Sequence, residues 1–405
     1  MRNEETTLAR CLKSVQEIAD DLVVVDTGST DGTTAVARSF EARVFEFPWQ
    51  GDFSAARNFA LEQVDEEWTL VIDADEELHP SDRNRLVELL QNTRADAVSV
   101  EIHNILGTPP ATEVMVGHSV RILRTDRRYR YTGIIHEDVT PSIQAGGGRV
   151  YISDIKFLHS GYRQDNEKRA QRHARNVTLL QKALAHSPHD PKALFELGTE
   201  YYVENQFELA AQHYEQSFRY CPSKAAYRPR LLRNYIAALN QIGRHVDGYR
   251  LVVEALSDYP DYADLWFLRG VIERNLSRLD DAVGSFGQAI AASTRPSTYE
   301  TNRSACREKA HLNLAEMFLE RGNAEEALEH AMACLAINPS ILPAYTVAAK
   351  AFVAQGKLLA AREVLEMART VSPGGTTMDG STTVTSRSTV SPSVCPRKST
   401  GLSSK

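Results

Sequence analysis

Long apolar runs are missing from this 405-residue chain: no uninterrupted stretch approaches the roughly 20 residues needed to cross a bilayer, so no transmembrane segment is expected. Cysteine is scarce and scattered. The five present (Cys11, Cys221, Cys306, Cys334, Cys395) form no C-x-x-C pair, which argues for reduced thiols rather than a zinc site or disulfide framework. An excess of basic charge is lacking too. Lysine and arginine number 46 against 53 acids, a net charge of −7, so no global field recruits nucleic acid or an anionic membrane. The opening MRNEETTLAR is polar and acidic and does not read as a signal peptide. These absences point to a cytoplasmic protein. With 42% hydrophobic and 24% charged residues, the length supports two or three domains with proper cores.

Three regions separate on pattern. The first, residues 1–164, alternates β-branched runs with helical stretches. LVVVD (22–26), ARVFEF (42–47) and WTLVID (68–73) read as strands, with helices around 5–18, 33–40 and 54–64. Such alternation predicts βαβ units and a mostly parallel sheet. Beyond residue 95 the runs AVSVEIH, SVRILR and RVYISDIKFLH predict a mixed or antiparallel second half. A bridging helix is expected within 165–190. The last region, 374–405, is rich in Ser and Thr with no aromatic, a composition that cannot bury enough apolar surface to order itself.

Between them, 191–373 carries an internal repeat. Leu194, Leu197, Gly198, Tyr201, Ala210, Tyr214 and Pro222 set a frame of large, small and terminating residues. It recurs with Trp266, Gly270, Ala282, Phe286 and Ala289, then Leu314, Ala315, Phe318, Ala327 and Pro339, then Tyr345, Ala349, Phe352, Ala361 and Pro373. Pro339 and Pro373 are 34 residues apart, and a weaker unit ends at Pro260. Small residues let paired helices approach, large ones fill the space opposite, and proline ends the second helix. About five units resemble tetratricopeptide repeats (TPRs), giving an all-α solenoid.

The chemistry gathers in the first region. VIDADEE (71–77) ends a strand in a D-x-D arrangement, and hard oxygen ligands of this kind suit Mg²⁺ or Mn²⁺ on a diphosphate. Glu76 and Glu77 read as acids opening the next helix near its positive end. Asp26 closes the strand of VVVDTGSTDGT (23–33), and ligands of open α/β sheets bind off the carboxyl ends of strands. It could accept from a ribose hydroxyl or base N–H, or satisfy its own turn; Asp31 is read as the latter, facing the next helix.

Together NEE (3–5), VVVDTGSTDGT, DFSAARN (52–58) and VIDADEE resemble a family-2 glycosyltransferase of the GT-A nucleotide-sugar fold, and more closely the bacterial group with C-terminal TPRs. The resemblance implies inverting transfer from a nucleoside-diphosphate-sugar, first of all a UDP-sugar, with a divalent cation (Mn²⁺ or Mg²⁺). It implies that Asp26 and Arg57 contact the nucleoside, with Asn3 and Glu4 at the edge of the base pocket. Asp73 would face sugar or ribose and Asp75 would ligate the metal. YTGIIHED (131–138) resembles the acceptor-side stretch, so Glu137 is the expected base and Asp138 the runner-up. His159, in KFLHSGY, resembles a late histidine that completes the metal shell. Of the five arginines in RILRTDRRYRY (121–131), Arg121 or Arg124 is expected to help hold donor or acceptor. The repeats would take the acceptor or a protein or peptide partner.

Two features depart from the family pattern. The hydrophobic strand usually found just before NEE is not in this sequence, so either translation starts upstream or the fold lacks its first strand, and Thr27 stands where many relatives have a second aspartate. The alternative reading is therefore a TPR scaffold with an inactive, truncated transferase domain. A third is a nucleotidyltransferase on a similar sheet, told apart by release of pyrophosphate instead of a nucleoside diphosphate.

Overall fold

The computed structural model describes residues 1–108, 111–159, 166–295, 297 and 299–371. The Ser/Thr-rich tail, 374–405, lies outside them. The chain forms two compact units, the first comprising chiefly Met1–Ile105 and Val114–Leu197, the second Gly198–Ser297 and the helices beyond Thr301.

The first unit is α/β. Helix α1 (Leu8–Val15) forms because Leu8, Cys11, Leu12 and Val15 recur at i, i+3, i+4 and i+7, and all four are buried. Strand β1 (Val23–Asp26) is a continuous valine run whose last three residues are buried, as in a strand covered on both faces. Helix α2 (Thr33–Ser39) returns the chain to β2 (Arg43–Glu46), which pairs with β1 in parallel, Val24 opposite Val44. Helix α3 (Phe53–Leu61) starts at Asp52, whose carboxylate accepts from the Ala55 amide at 3.1 Å.

Here the structure departs from the expected mostly parallel sheet. Strand β3 covers only Trp68–Leu70 and joins not β1 but β6, in antiparallel register. The free side of β1 is taken instead by Met1, whose amine donates to the Val25 carbonyl and whose carbonyl accepts from the Thr27 amide. A second correction concerns the acids. Glu76 and Glu77 do not open a helix; they form strand β4 (Glu76–Leu78), antiparallel to β7 (Val150–His159). The next helix, α4 (Arg83–Asn92), starts later, after Pro80. Two long neighbouring strands, β5 (Ala97–Thr108) and β6 (Ala111–Arg124), complete the order β3-β6-β5-β7-β4, with β5 and β7 parallel. The core between this sheet and its helices holds Val15, Leu78, Leu86, Val98, Val100, Ile122, Ile155 and Phe157. After α5 (Thr140–Ala145) and β7 comes α6, a single helix over Asn166–His186.

Apart from a two-residue strand, Thr301–Asn302, and a π-helical turn, Ala305–Lys309, the remainder is α-helical: α7 (Pro191–Val203), α8 (Phe207–Tyr220), α9 (Arg228–Gln241), α10 (His245–Asp258), α11 (Ala263–Asn275), α12 (Leu279–Ser293), α13 (Ala310–Glu320), α14 (Ala324–Ile337), α15 (Leu342–Ala354) and α16 (Leu358–Val371). The repeat frame explains their pairing. Ala210, Tyr214, Ala282, Phe286, Ala315 and Ala349 are almost wholly buried. Cys11, Cys221, Cys306 and Cys334 are buried and free. Among the described residues no helix is long and apolar enough to cross a membrane.

Close approach decides the glycines of the frame. A Cβ on Gly198 would lie 2.8 Å from the Tyr214 ring, and one on Gly270 would lie 2.9 Å from that of Phe286. Both rings are fully buried and have nowhere to retreat. Gly270→Ala should therefore destabilise the protein by about 1–3 kcal/mol through overpacking, measured as a lower urea midpoint. The control Gly284→Ala, where nothing lies within 4 Å of the new methyl, should not.

Candidate active site

Several separate elements of the first unit bring charged side chains together: α3, the turn after β3, β4, β6, the loop 132–138 and the end of β7. The strand ladder fixes most of this. Because β3 stops at Leu70 while Val71 still donates to the Arg121 carbonyl, residues 71–75 cross beside β6 and turn into β4. Asp73 thus lands against Arg121, and Asp75 against the last residue of β7, His159.

The charges alternate in sign. Glu76, only 1% exposed, accepts from Arg121 Nη2 at 2.5 Å, and the same nitrogen donates to Asp73 Oδ2 at 2.9 Å. Asp73 Oδ1 takes Arg57 Nη2 at 2.7 Å, and Arg57 Nε pairs with Glu137. Glu76 also accepts from the Asp73 amide, closing the turn. Burial pushes the Glu76 carboxyl up, against the pull of Arg121. Burial would raise Asp73 as well, but Arg57 and Arg121 hold its carboxyl well below the usual carboxylate range. Beside this series, Asp75 Oδ2 lies 3.2 Å from His159 Nε2, and His159 Nδ1 lies 2.7 Å from Asn104 Oδ1. Burial would lower the imidazole, yet the Asp75 hydrogen bond and nearby carboxylates raise it above its ordinary value.

Arg57, Asp73 and Glu137 thus meet directly, and Asp75 meets His159. Asp26 sits near them, since Met1 feels Asp26, Arg57, Asp73 and Glu4 at once. Its carboxylate is engaged in its own turn, accepting from the Gly28 and Ser29 amides at 3.2 and 3.0 Å. Gly28 has a φ of +106°, which that turn requires. Asn3 accepts from the Thr30 amide at 2.8 Å, and the Glu4 amide donates to Thr33, so both brace this turn. Asp31 accepts from the Thr33 amide at the start of α2. Asp138 accepts from the Thr140 amide at 2.9 Å and so begins α5. Arg124 is drawn away to Glu67 and the Trp68 ring, whereas Arg121 enters the cluster.

Two participants escaped the sequence reading. Glu76 reads in sequence as a helix start, and nothing in Glu76-Glu77-Leu78 marks the strand in which it is buried. Tyr131 was passed over within YTGIIHED. Its ring lies under the Arg57 guanidinium at 5.4 Å, burial pushes its phenol up, and its hydroxyl has no hydrogen-bond partner among the described residues. Arg121 Nε is likewise buried without one.

Residues 1–153 match the family model "Glycosyl transferase family 2", and residues 247–297 match "Tetratricopeptide repeat". The chain is 28% identical over 302 residues to a TPR repeat-containing protein of Synechococcus elongatus, covering 72% of this chain and 74% of that one. It is 24% identical to the SPbeta prophage-derived glycosyltransferase SunS of Bacillus subtilis, covering 71% of this chain and 64% of SunS. The lipopolysaccharide core biosynthesis glycosyltransferase LpsC of Rhizobium meliloti is 34% identical over 162 residues, 36% of this chain and 57% of LpsC. The chain thus spans less than two thirds of either named transferase. Among solved structures, the type IV pilus biogenesis factor PilW matches 51% of this chain and 90% of its own at 16% identity, with a TM-score of 0.43. The chain joins a family-2 glycosyltransferase domain to tetratricopeptide repeats.

The buried Glu76–Arg121 pair generates a stability prediction. Arg121→Met leaves Glu76 and Asp73 without their shared cation and should cost about 3–5 kcal/mol in chemical denaturation at neutral pH. Adding Glu76→Gln should recover much of that loss, because the uncompensated buried charge goes with it.

Proposed function

We propose that this protein is an inverting glycosyltransferase that moves a sugar from a nucleoside-diphosphate-sugar to an acceptor, with the repeats binding the acceptor or a protein partner. The observation that carries the reading is the convergence of Arg57, Asp73, Arg121 and Glu137 beside the Asp75–His159 pair. The domain match and the named transferases among the relatives support it. The scaffold alternative is not favoured, since this concentration of half-buried charge contributes little to folding that apolar residues would not supply.

Inversion requires attack on the sugar carbon from the side opposite the leaving diphosphate, with a carboxylate taking the acceptor proton. Glu137 is the group assigned to that role. To act, it exchanges Arg57 for the acceptor hydroxyl, and Arg57 remains compensated because Asp73 still holds it at 2.7 Å. Asp138 is the weaker candidate, being engaged at the start of α5. Asp26, with Asn3 and Glu4 bracing its turn, lines the nucleoside side. Tyr131 offers a hydroxyl with no competing protein partner to a sugar or phosphate oxygen.

Among the described residues no group of three metal-ligating side chains is gathered, so a divalent cation, Mn²⁺ or Mg²⁺, would be held by Asp75 and, once it gives up its hydrogen bond to that carboxylate, His159, with the remaining ligands coming from the diphosphate. When bound it would neutralise charge developing on the diphosphate. Asp73 is not a free ligand, since each of its oxygens accepts from an arginine.

Calorimetric titration of UDP into the protein with Mn²⁺, repeated with EDTA, tests this reading. Binding that disappears with EDTA is expected; EDTA-insensitive binding would overturn the metal assignment. Asp75→Asn should lower turnover of the matching UDP-sugar by roughly 10²–10³-fold with unchanged far-UV circular dichroism. Normal turnover in that variant would remove Asp75 from the site.

A further inference from the structure

The loop that carries Glu137 is short and closed. Thr132 and Asp138 exchange backbone hydrogen bonds of 3.1 and 3.0 Å at its base, and the Phe53 amide holds the Ile134 carbonyl at 2.9 Å. Its apex is His136, with a φ of +52°, in the left-handed region that residues with a Cβ seldom occupy. A residue held there persists only where its surroundings over-determine it.

Those surroundings come from α7, more than fifty residues on. Lys192 Nζ donates to the His136 carbonyl oxygen at 2.8 Å, a separation of 56 residues along the chain. Glu196, one turn further and buried, places Oε2 at 3.7 Å from His136 Nε2. The start of α7 is itself fixed, because Asp190 accepts from the Lys192 and Ala193 amides at 2.9 and 3.2 Å. A lysine in the first turn of a helix opposes the helix dipole, so its place there does not serve α7. It serves the loop.

The carbonyl that Lys192 grips belongs to the peptide unit joining His136 to Glu137. That unit is planar, so fixing its oxygen fixes the direction in which the Glu137 Cα leaves it. We infer that Lys192 and Glu196 are positioning residues that hold His136 in its left-handed conformation and thereby aim the Glu137 carboxylate. The inference rests on Glu137 having the acceptor-side role proposed above. It makes the first two turns of α7 part of the transferase machinery, although they lie beyond the matched residues 1–153.

The test uses the full chain with Lys192→Met, Glu196→Gln and the restoring variant Lys192→Arg. Hydrogen–deuterium exchange at the Thr132 and Asp138 amides reads the hold on the loop directly, and Lys192→Met should speed it about tenfold or more. UDP release from the UDP-sugar reads the consequence: kcat should fall on the order of 10- to 100-fold while the donor KM stays within about twofold. Glu196→Gln should act in the same direction and Lys192→Arg should recover most of the rate. Unchanged exchange in Lys192→Met overturns the inference, as does faster exchange with unchanged kcat. If the native protein releases no UDP from any UDP-sugar, the transferase reading fails on its own account, and the exchange measurement still decides whether α7 holds the loop.

Discussion

The alternation Glu76–Arg121–Asp73–Arg57–Glu137 is the interaction on which the rest of the first unit depends. Each cation lies between two anions, so no buried charge is left to the low-dielectric interior alone, and loss of Arg121 strands Glu76 while Asp73 keeps only Arg57. The series also does geometric work. It ties α3 to the turn after β3, that turn to β4 and β6, and α3 again to the loop at 132–138. Elements that also share apolar clusters, Leu61 with Val71 and Tyr131, and Leu78 with Ile122, are thus held in fixed relation by pairing that tolerates only a narrow range of distances.

A second constraint is steric and belongs to the helical repeats. There the glycine and alanine positions decide how near one helix comes to the next, and buried aromatic rings such as Tyr214 and Phe286 fill what remains. Two kinds of order therefore share one chain. The repeats rest on volume, with local contacts between consecutive helices; the α/β unit adds to its apolar core a buried charge series and pairing between strands distant in sequence.

That difference governs how much could be read from the residues. The repeats were legible because their spacing is local: Leu194 to Pro222 already contains the large, small and terminating positions of one unit. Strand β1 and helices α1–α3 were legible for the same reason; the resemblance named Arg57, Asp73 and Glu137 separately, for nucleoside, sugar and acceptor, and their direct pairing was not legible. Glu76 was not legible. Acids before a helix and acids in a short buried strand look alike until the partner is known, and the partners are Arg121 and the end of β7, 45 and 83 residues away. The pairing of β3 with β6 was hidden likewise, since strand runs carry their facing pattern but not the identity of their neighbour. Arg121 and Arg124 differ by three positions, and only the register of β6 tells which enters the cluster.

Tyr131 brings out a further property of the domain. Its buried hydroxyl and the Nε of Arg121 are donors that folding desolvates without giving either an acceptor. Such atoms make the folded protein less stable than its packing alone would allow. They also lend any oxygen-bearing molecule seated there a stabilising influence on the whole fold, since it would supply acceptors that the chain itself omits. Recognition and folding are in that sense one equilibrium: an oxygen that accepts from both donors binds and stabilises at once.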